Sequence, residues 1–453
     1  MNLPNYFFAD LPPEAVIGPT MITEACQALK RNRETYLAHR STQAIVEVLS
    51  RLAKDWLDPE FSFRKLALSE GPAATGFSRG TIATGLDRHF KRLTPEGFQA
   101  LIEQDLGKAE RLDHFTSTTH EQQGNRASLA TGPELIAHVA AGNLPNPTLT
   151  SIVLGLLVRS AQFVKCASGA SLLPRLFAHS LYEIERKFGA CLEIAEWKGG
   201  NDPLERTLFE AADCVTATGS DESLAGVRCN VPGKVRFLGF GSRVSFGYVA
   251  HEMLTGVHLR RVVERVAADV AAWDQQGCLS PHVIYVQARG TVPGEKFAEM
   301  LADQLAEHEL REPRGPVKLE TSAHIASRRS IYELRAASSP DTRLWCSKES
   351  TAWTVVYESD PRFQISCLNR FVYVKEVKDF TEALQAADVV RGRVSTIGLA
   401  VPEHTIQTLC VEAARWGATR ICPLGQMQDP PLAWRHDGAP ALATLITWTD
   451  WEQ

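Results

Sequence analysis

A chain of 453 residues with 44% apolar and 22% charged side chains is long enough for two or three domains and can bury large cores without disulfide or metal staples. Its net charge of −5, with Lys and Arg mixed among Asp and Glu throughout, leaves no basic stripe for a phosphate backbone and excludes nucleic acid as an expected partner. Ten scattered cysteines, with no CxxC pair and no Cys/His cluster at zinc-ligand spacing, exclude a metal site of that kind and read as reduced thiols in a cytoplasmic protein.

The opening "MNLPNYFFADLPPEAV" lacks the basic n-region and continuous apolar h-region of a signal peptide. The longest apolar run, "IVLGLLV" before Arg159, is far too short to span a bilayer, so no membrane span is expected. Residues 1 to about 110 look helical in pieces. The stretch "TQAIVEVLSRLAKDWL" puts Ile45, Val48, Leu49, Leu52 and Trp56 on one face, and the region carries no recognisable chemistry.

From about residue 135 the pattern alternates. "AQFVKCAS" and "CLEIAEW" read as strands with the helix "LLPRLFAHSLYEIERKFG" between them, followed by "DPLERTLFEAAD", "CVTATG", "DESLAGVR" and "KVRFLGF". Strand, helix, strand at this length implies an α/β fold with a parallel sheet, whose ligands bind at the carboxyl ends of the strands near helix N-termini. "GFGSRV" begins like a dinucleotide loop but has Val244 at the third glycine and a strand-like "VSFGYV" after it, so it reads as a turn between two elements.

The next segment, "HLRRVVERVAADVAAW", carries the helical stripe Leu259, Val262, Val263, Val266, Val270 and Trp273, and should end just before Cys278 in "DQQGCLSPH". Gly277 would let the backbone turn there and approach a ligand closely. Two readings of Cys278 stay open on these residues: a reachable nucleophile, or one more buried thiol.

"WDQQGCLSP", together with "HVAAGNLPNPTLTSIVLGLLVRSAQFVKCASG" upstream and "RICPLGQMQDPPLAWRHDG" near the end, resembles the acyl-CoA reductases of the LuxC type, members of the aldehyde dehydrogenase superfamily. The resemblance runs in order from about residue 130 to the C-terminus. It implies an aldehyde dehydrogenase-like α/β fold with a Rossmann-type cofactor domain, an α/β catalytic domain and a small oligomerisation arm. The expected divisions are residues 1–245 for the N-terminal helical region and nicotinamide-cofactor domain, 246–425 for the catalytic domain and 426–453 for a C-terminal arm segment. Residues near 111–131 are a second candidate for the arm, and a homo-dimer or higher homo-oligomer is expected.

Carried over position by position, the resemblance makes Cys278 the nucleophile, and Asn143 of "AGNLP" the amide that joins the backbone N–H of Cys278 in an oxyanion hole. Lys165 would contact the adenosine ribose of the cofactor, and Gly219 and Ser220 would face its pyrophosphate. Without the resemblance these are a turn residue before Pro145, a solvated lysine and a helix N-cap. Ser168 stands where NAD-preferring relatives carry a glutamate for the ribose 2′-OH, so NADPH is the expected cofactor, with NADH possible.

The stretch "RFLGFGSRV" lacks the glutamate that acid-forming aldehyde dehydrogenases use as a base, and "YESDPRFQISCLNR" lacks their Glu-x-Phe-Gly-Pro motif. The implied reaction is therefore NAD(P)H-dependent reduction of an acyl-CoA, or a related acyl thioester, to an aldehyde through acyl-Cys278. The site should lower the thiol pKa or position the small thiolate fraction, with no histidine assignable as its base. The alternatives are a thiol acyltransferase or thioesterase without a redox step, and a non-catalytic acyl-thioester-binding partner protein.

Overall fold

The fold is set by strands that are apolar on both faces and therefore need helices on both sides. A computed structural model describes residues 3–12, 14–288, 290 and 292–452. The first strand, β1 (Arg126–Thr131), is set aside for the chain's end. The next five, β2 (Leu135–Val139), β3 (Ala161–Cys166), β4 (Leu192–Glu196), β5 (Cys214–Thr218) and β6 (Arg236–Phe240), form a sheet in the order β4-β3-β2-β5-β6. Every pairing in it is parallel. Strand order reverses between β2 and β5, and such a switch point opens a crevice at the carboxyl ends of the strands.

A second sheet takes β7 (Val244–Val249), β8 (Pro281–Gln287), β9 (Thr342–Cys346), β10 (Thr354–Glu358), β11 (Phe371–Val377), β12 (Val394–Ala400) and β13 (Ile421–Pro423) in the order β13-β12-β7-β8-β11-β10-β9. Only the edge strand β9 runs antiparallel. Residues 241–243 of "GFGSRV" are the turn from the last strand of one sheet to the first of the other, as the sequence suggests.

The chain's end returns as β14 (Thr447–Glu452) to pair antiparallel with β1 in a two-stranded ribbon. Gln453, the last residue of the expected arm, lies outside the described residues.

The N-terminal helices pack onto this frame. In the helix Thr42–Leu57, Ile45, Leu49, Leu52 and Trp56 are buried and Val48 is half-buried, all on one core with the helix Leu172–Ile184. The Trp56 indole N–H donates to Ser180 Oγ at 2.9 Å inside that core. Burying side chains of this size contributes about 1.5–3 kcal/mol each. Among the described residues no helix is long and apolar enough to cross a membrane.

Candidate active site

The helix Gly256–Ala271 buries Leu259, Val262, Val263, Val266 and Val270 against a core that includes β8, and so delivers the chain to Cys278. Gly277 does not make the turn. Trp273, Asp274 and Gln275 make it, with φ of 51°, 49° and 64°. Left-handed backbone costs an L-residue about 1–2 kcal/mol, so three in a row must be held by their surroundings.

A second left-handed run, Leu368, Asn369 and Arg370, packs against the first. The fully buried Arg370 guanidinium pairs with Asp274 at 2.8 Å and with Glu309 at 2.7 Å. Gln275 donates to the carbonyls of Pro281 and Phe371 at 2.8 and 2.9 Å and accepts the Phe371 N–H at 2.7 Å, while Gln276 donates to Asn369 at 2.9 Å. The Cys278 loop is thus braced from the segment where the Glu-x-Phe-Gly-Pro motif is missing. Gly277 contributes closeness instead: a Cβ there would lie 3.1 Å from Leu144 Cδ1.

That contact brings Asn143 to Cys278. The Asn143 amide donates to the Gln276 carbonyl at 3.1 Å across a separation of 133 residues. Ser245 Oγ donates to the Cys278 carbonyl at 2.7 Å, and Gln428 Nε2 donates to Ser280 Oγ at 3.0 Å. Cys278, half-buried as a residue, is therefore fixed on the same short loop whose Gln276 carbonyl the Asn143 amide holds. The N-terminal region takes part as well. Asn146 Nδ2 donates to the Gly85 carbonyl at 3.1 Å, and the Trp273 ring lies so close over Gly85 that a Cβ there would meet it at 2.0 Å.

The site does not lower the thiol pKa. Burial first, and the Asp437 carboxylate second, push Cys278 up to about 11, against the smaller pull of the Ser395 hydroxyl and the Arg243 guanidinium. The thiol is neutral at pH 7 and needs a proton acceptor during attack. His282 is not that acceptor: it is buried in β8, its Nδ1 accepts the Ser366 N–H at 3.1 Å, and burial takes its pKa down to about 4.

At the carboxyl ends of the other sheet, Lys165 closes β3. It is buried rather than solvated, with Nζ 6.0 Å from the Trp197 ring centroid, and burial lowers its pKa against the opposing pull of Glu205. Ser168 is exposed on the turn that follows. The next residue, Gly169, donates its N–H to Glu196 at 2.6 Å. Gly219 follows the end of β5 and Ser220 caps the helix Asp221–Asn230, accepting the Ser223 N–H at 3.2 Å. Asp221 is turned to the Ser242 N–H at 2.9 Å. Gly169 and Gly200, with φ of 78° and 81°, have nothing within 4 Å of a Cβ position. The edge is open to an extended ligand along β3, β4 and β5.

A family model described as acyl-CoA reductase (LuxC) matches residues 37–448. The long-chain acyl-protein thioester reductase 2 of Photobacterium leiognathi is 22% identical over 358 residues, covering 78% of this chain and 70% of that protein. In structure, the chain is similar to a NAD-dependent benzaldehyde dehydrogenase from Corynebacterium glutamicum, with a TM-score of 0.70 at 13% identity over 96% of this chain and 91% of that one. It is similar also to a bifunctional proline utilization A protein, with a TM-score of 0.72 at 15% identity, covering 98% of this chain but 45% of that longer one. These structural likenesses show an aldehyde dehydrogenase-like fold.

Proposed function

The chain belongs to the acyl-CoA reductase (LuxC) family, and from that premise we propose that it reduces an acyl thioester, acyl-CoA or a related one, to the aldehyde through acyl-Cys278. The observation that carries the reading is the meeting of Asn143 with the Cys278 loop across the two sheets. Attack of Cys278 Sγ on a thioester carbonyl puts negative charge on the oxygen, and the Asn143 amide with the Cys278 N–H would stabilise it as it develops. The C–S bond to the leaving thiol then breaks, so one thioester replaces another at little cost in free energy. A bound reduced nicotinamide would supply the hydride that turns the Cys278 thioester into a thiohemiacetal. Cys278 is then expelled as the aldehyde departs.

Lys165, Gly219 and Ser220 are the residues we assign to the cofactor, with Lys165 towards the ribose and the open N-terminus of Asp221–Asn230 towards the pyrophosphate. Residues 1–245 would then hold the cofactor and 246–425 the reacting sulfur. The ribbon, whose β14 is exposed along its whole length and carries Trp448 and Trp451, would be the arm of a homo-dimer or larger assembly. The segment 426–453 has two parts: β14 joins the ribbon, whereas Gln428 lies at the Cys278 loop.

With Glu196 committed to the Gly169 N–H, Ser168 beside the cationic Lys165 leaves room for a 2′-phosphate. NADPH should be used at least as well as NADH, and Ser168→Glu should move the preference towards NADH, because a carboxylate accepts the 2′-OH and repels the phosphate. Equal or better NADPH use by that variant, read as the ratio of kcat/KM values, would remove this reading.

No residue of β6 is acidic, so no carboxylate on that strand can activate water. General-base help is commonly worth about 10²–10⁴ in rate, and its absence should make acid a minor product. Wild-type protein is offered a series of acyl-CoAs, short, long and aromatic, with NADPH absorbance and aldehyde measured together. In reverse, aldehyde and NADP⁺ should give at most one burst of NADPH, with sustained turnover only once CoA is added. Continuous acid formation without CoA would place the protein among hydrolytic aldehyde dehydrogenases. Product release without any reduced nicotinamide would make it an acyltransferase or thioesterase.

A further inference from the structure

The neutral thiol leaves a proton unaccounted for, and the C-terminal loop brings a group that can take it. Asp437 lies in "RHDG" with φ of 53°, a left-handed position that an aspartate adopts at less cost than most residues. Its Oδ2 is held by Arg243 Nε at 3.1 Å, and its side chain is 12% exposed. Its Oδ1 is buried and has no hydrogen-bond partner among the described residues. Native structures rarely leave a buried carboxylate oxygen in that state without a use.

A chain of contacts joins this carboxylate to the Cys278 loop. Arg243 stands in the turn before β7, and two residues on, Ser245 holds the Cys278 carbonyl at 2.7 Å. After burial, the negative charge of Asp437 is the next cause that raises the Cys278 thiol. His436 lies flat on the Phe240 ring, centroids 4.7 Å apart, and against Trp434 at 4.6 Å, with its Nε2 4.0 Å from Oδ1. Burial, reinforced by Arg243 and opposed by Asp437, lowers the His436 pKa and keeps the ring neutral. The Arg420 guanidinium lies over the Trp434 ring, 5.7 Å from its centroid, and Cys278 is among the groups that act on it. Phe240 ends β6, and its stack with His436 seats the Asp437 turn against the last strand of the first sheet.

Resting on the reductase reading, we propose that Asp437 is a further catalytic residue that carries the Cys278 proton. As Sγ forms its bond to the acyl carbon, the S–H proton passes to Oδ1 of Asp437. As the C–S bond to the leaving group breaks, the same proton passes to the departing thiolate and releases it as a thiol. No oxidant or reductant enters this half-reaction, and charge is balanced at each step.

The test uses the full-length enzyme without nicotinamide and the acyl-CoA of the above series that acylates wild type fastest. CoA release is followed by stopped flow, and iodoacetamide alkylation of Cys278 at pH 7 by peptide mass spectrometry. In Asp437→Asn, which keeps the left-handed position and the shape, acylation should slow by about 10²–10⁴. Alkylation of Cys278 should become faster, because loss of the neighbouring negative charge favours the thiolate. Asp437→Glu should recover part of the acylation rate. If both rates fall, Asp437 is only structural; if both rise, it acts only through its charge. Either result, or an unchanged acylation rate, overturns the inference. Absence of any burst from wild type would instead bring down the reductase reading and this inference with it.

Discussion

Cys278→Ala protein forms no aldehyde and takes up no acyl label, while alanine at Cys166 or Cys367 leaves turnover largely intact. Removal of a catalytic nucleophile costs on the order of 10⁶ in kcat where the reaction depends on a covalent intermediate. Neither of these two thiols should stand in for Cys278. Cys166 is fully buried within β3, and burial pushes its thiol up to about 12. Cys367 sits beside Arg328, on the segment that includes the left-handed run Leu368–Arg370, and its thiol is raised by burial against the pull of Arg328. Because Cys278 is only half-buried, its loss should leave the folded state nearly as stable. Intact-protein mass after incubation with an acyl-CoA, with NADPH absorbance in parallel, reads both effects. Normal turnover by Cys278→Ala protein would end the covalent mechanism.

The sheets were legible because burial on both faces leaves an unbroken apolar run. In β3 every position from Ala161 to Cys166 is buried, and the run reads as a strand without knowledge of its neighbours. The stripe at Ile45, Leu49, Leu52 and Trp56 is legible for the corresponding helical reason. The site was legible only through resemblance, since nothing local says that Asn143 and Gln276 meet across 133 residues. Lys165 looked solvated because one strand does not reveal how deeply its end is covered, here by Trp197.

Three further features escaped for tertiary reasons. The left-handed Trp273–Gln275 run contains no glycine or asparagine to announce it and exists because Arg370 and Phe371 bind it. Gly85 looked like an ordinary helical glycine, yet its missing side chain makes room for Trp273. The helix that carries Gly85 therefore packs directly against the start of the Cys278 loop. Asp437 stood in the stretch "RICPLGQMQDPPLAWRHDG" that carries the resemblance, with no role of its own.

Asn143→Ala should slow acylation of Cys278 by about 10²–10³, the usual consequence of removing one oxyanion donor. Cofactor affinity should change little, since Lys165, Gly219 and Ser220 lie on other loops. The competing account is that the same amide, which also ties down the Gln276 carbonyl at 3.1 Å, acts by holding the loop. The two separate on the choice of electrophile. Attack on a thioester builds charge on a carbonyl oxygen, whereas alkylation by iodoacetamide is a displacement at carbon with no oxyanion. If Asn143 stabilises the oxyanion, acylation falls while alkylation of Cys278 stays within a few-fold of wild type. If it only braces the loop, a displaced sulfur slows both reactions together. An unaltered acylation rate would mean that Asn143 has no part in the chemistry, and the donor would then have to be sought among the backbone N–H groups of the 276–279 turn.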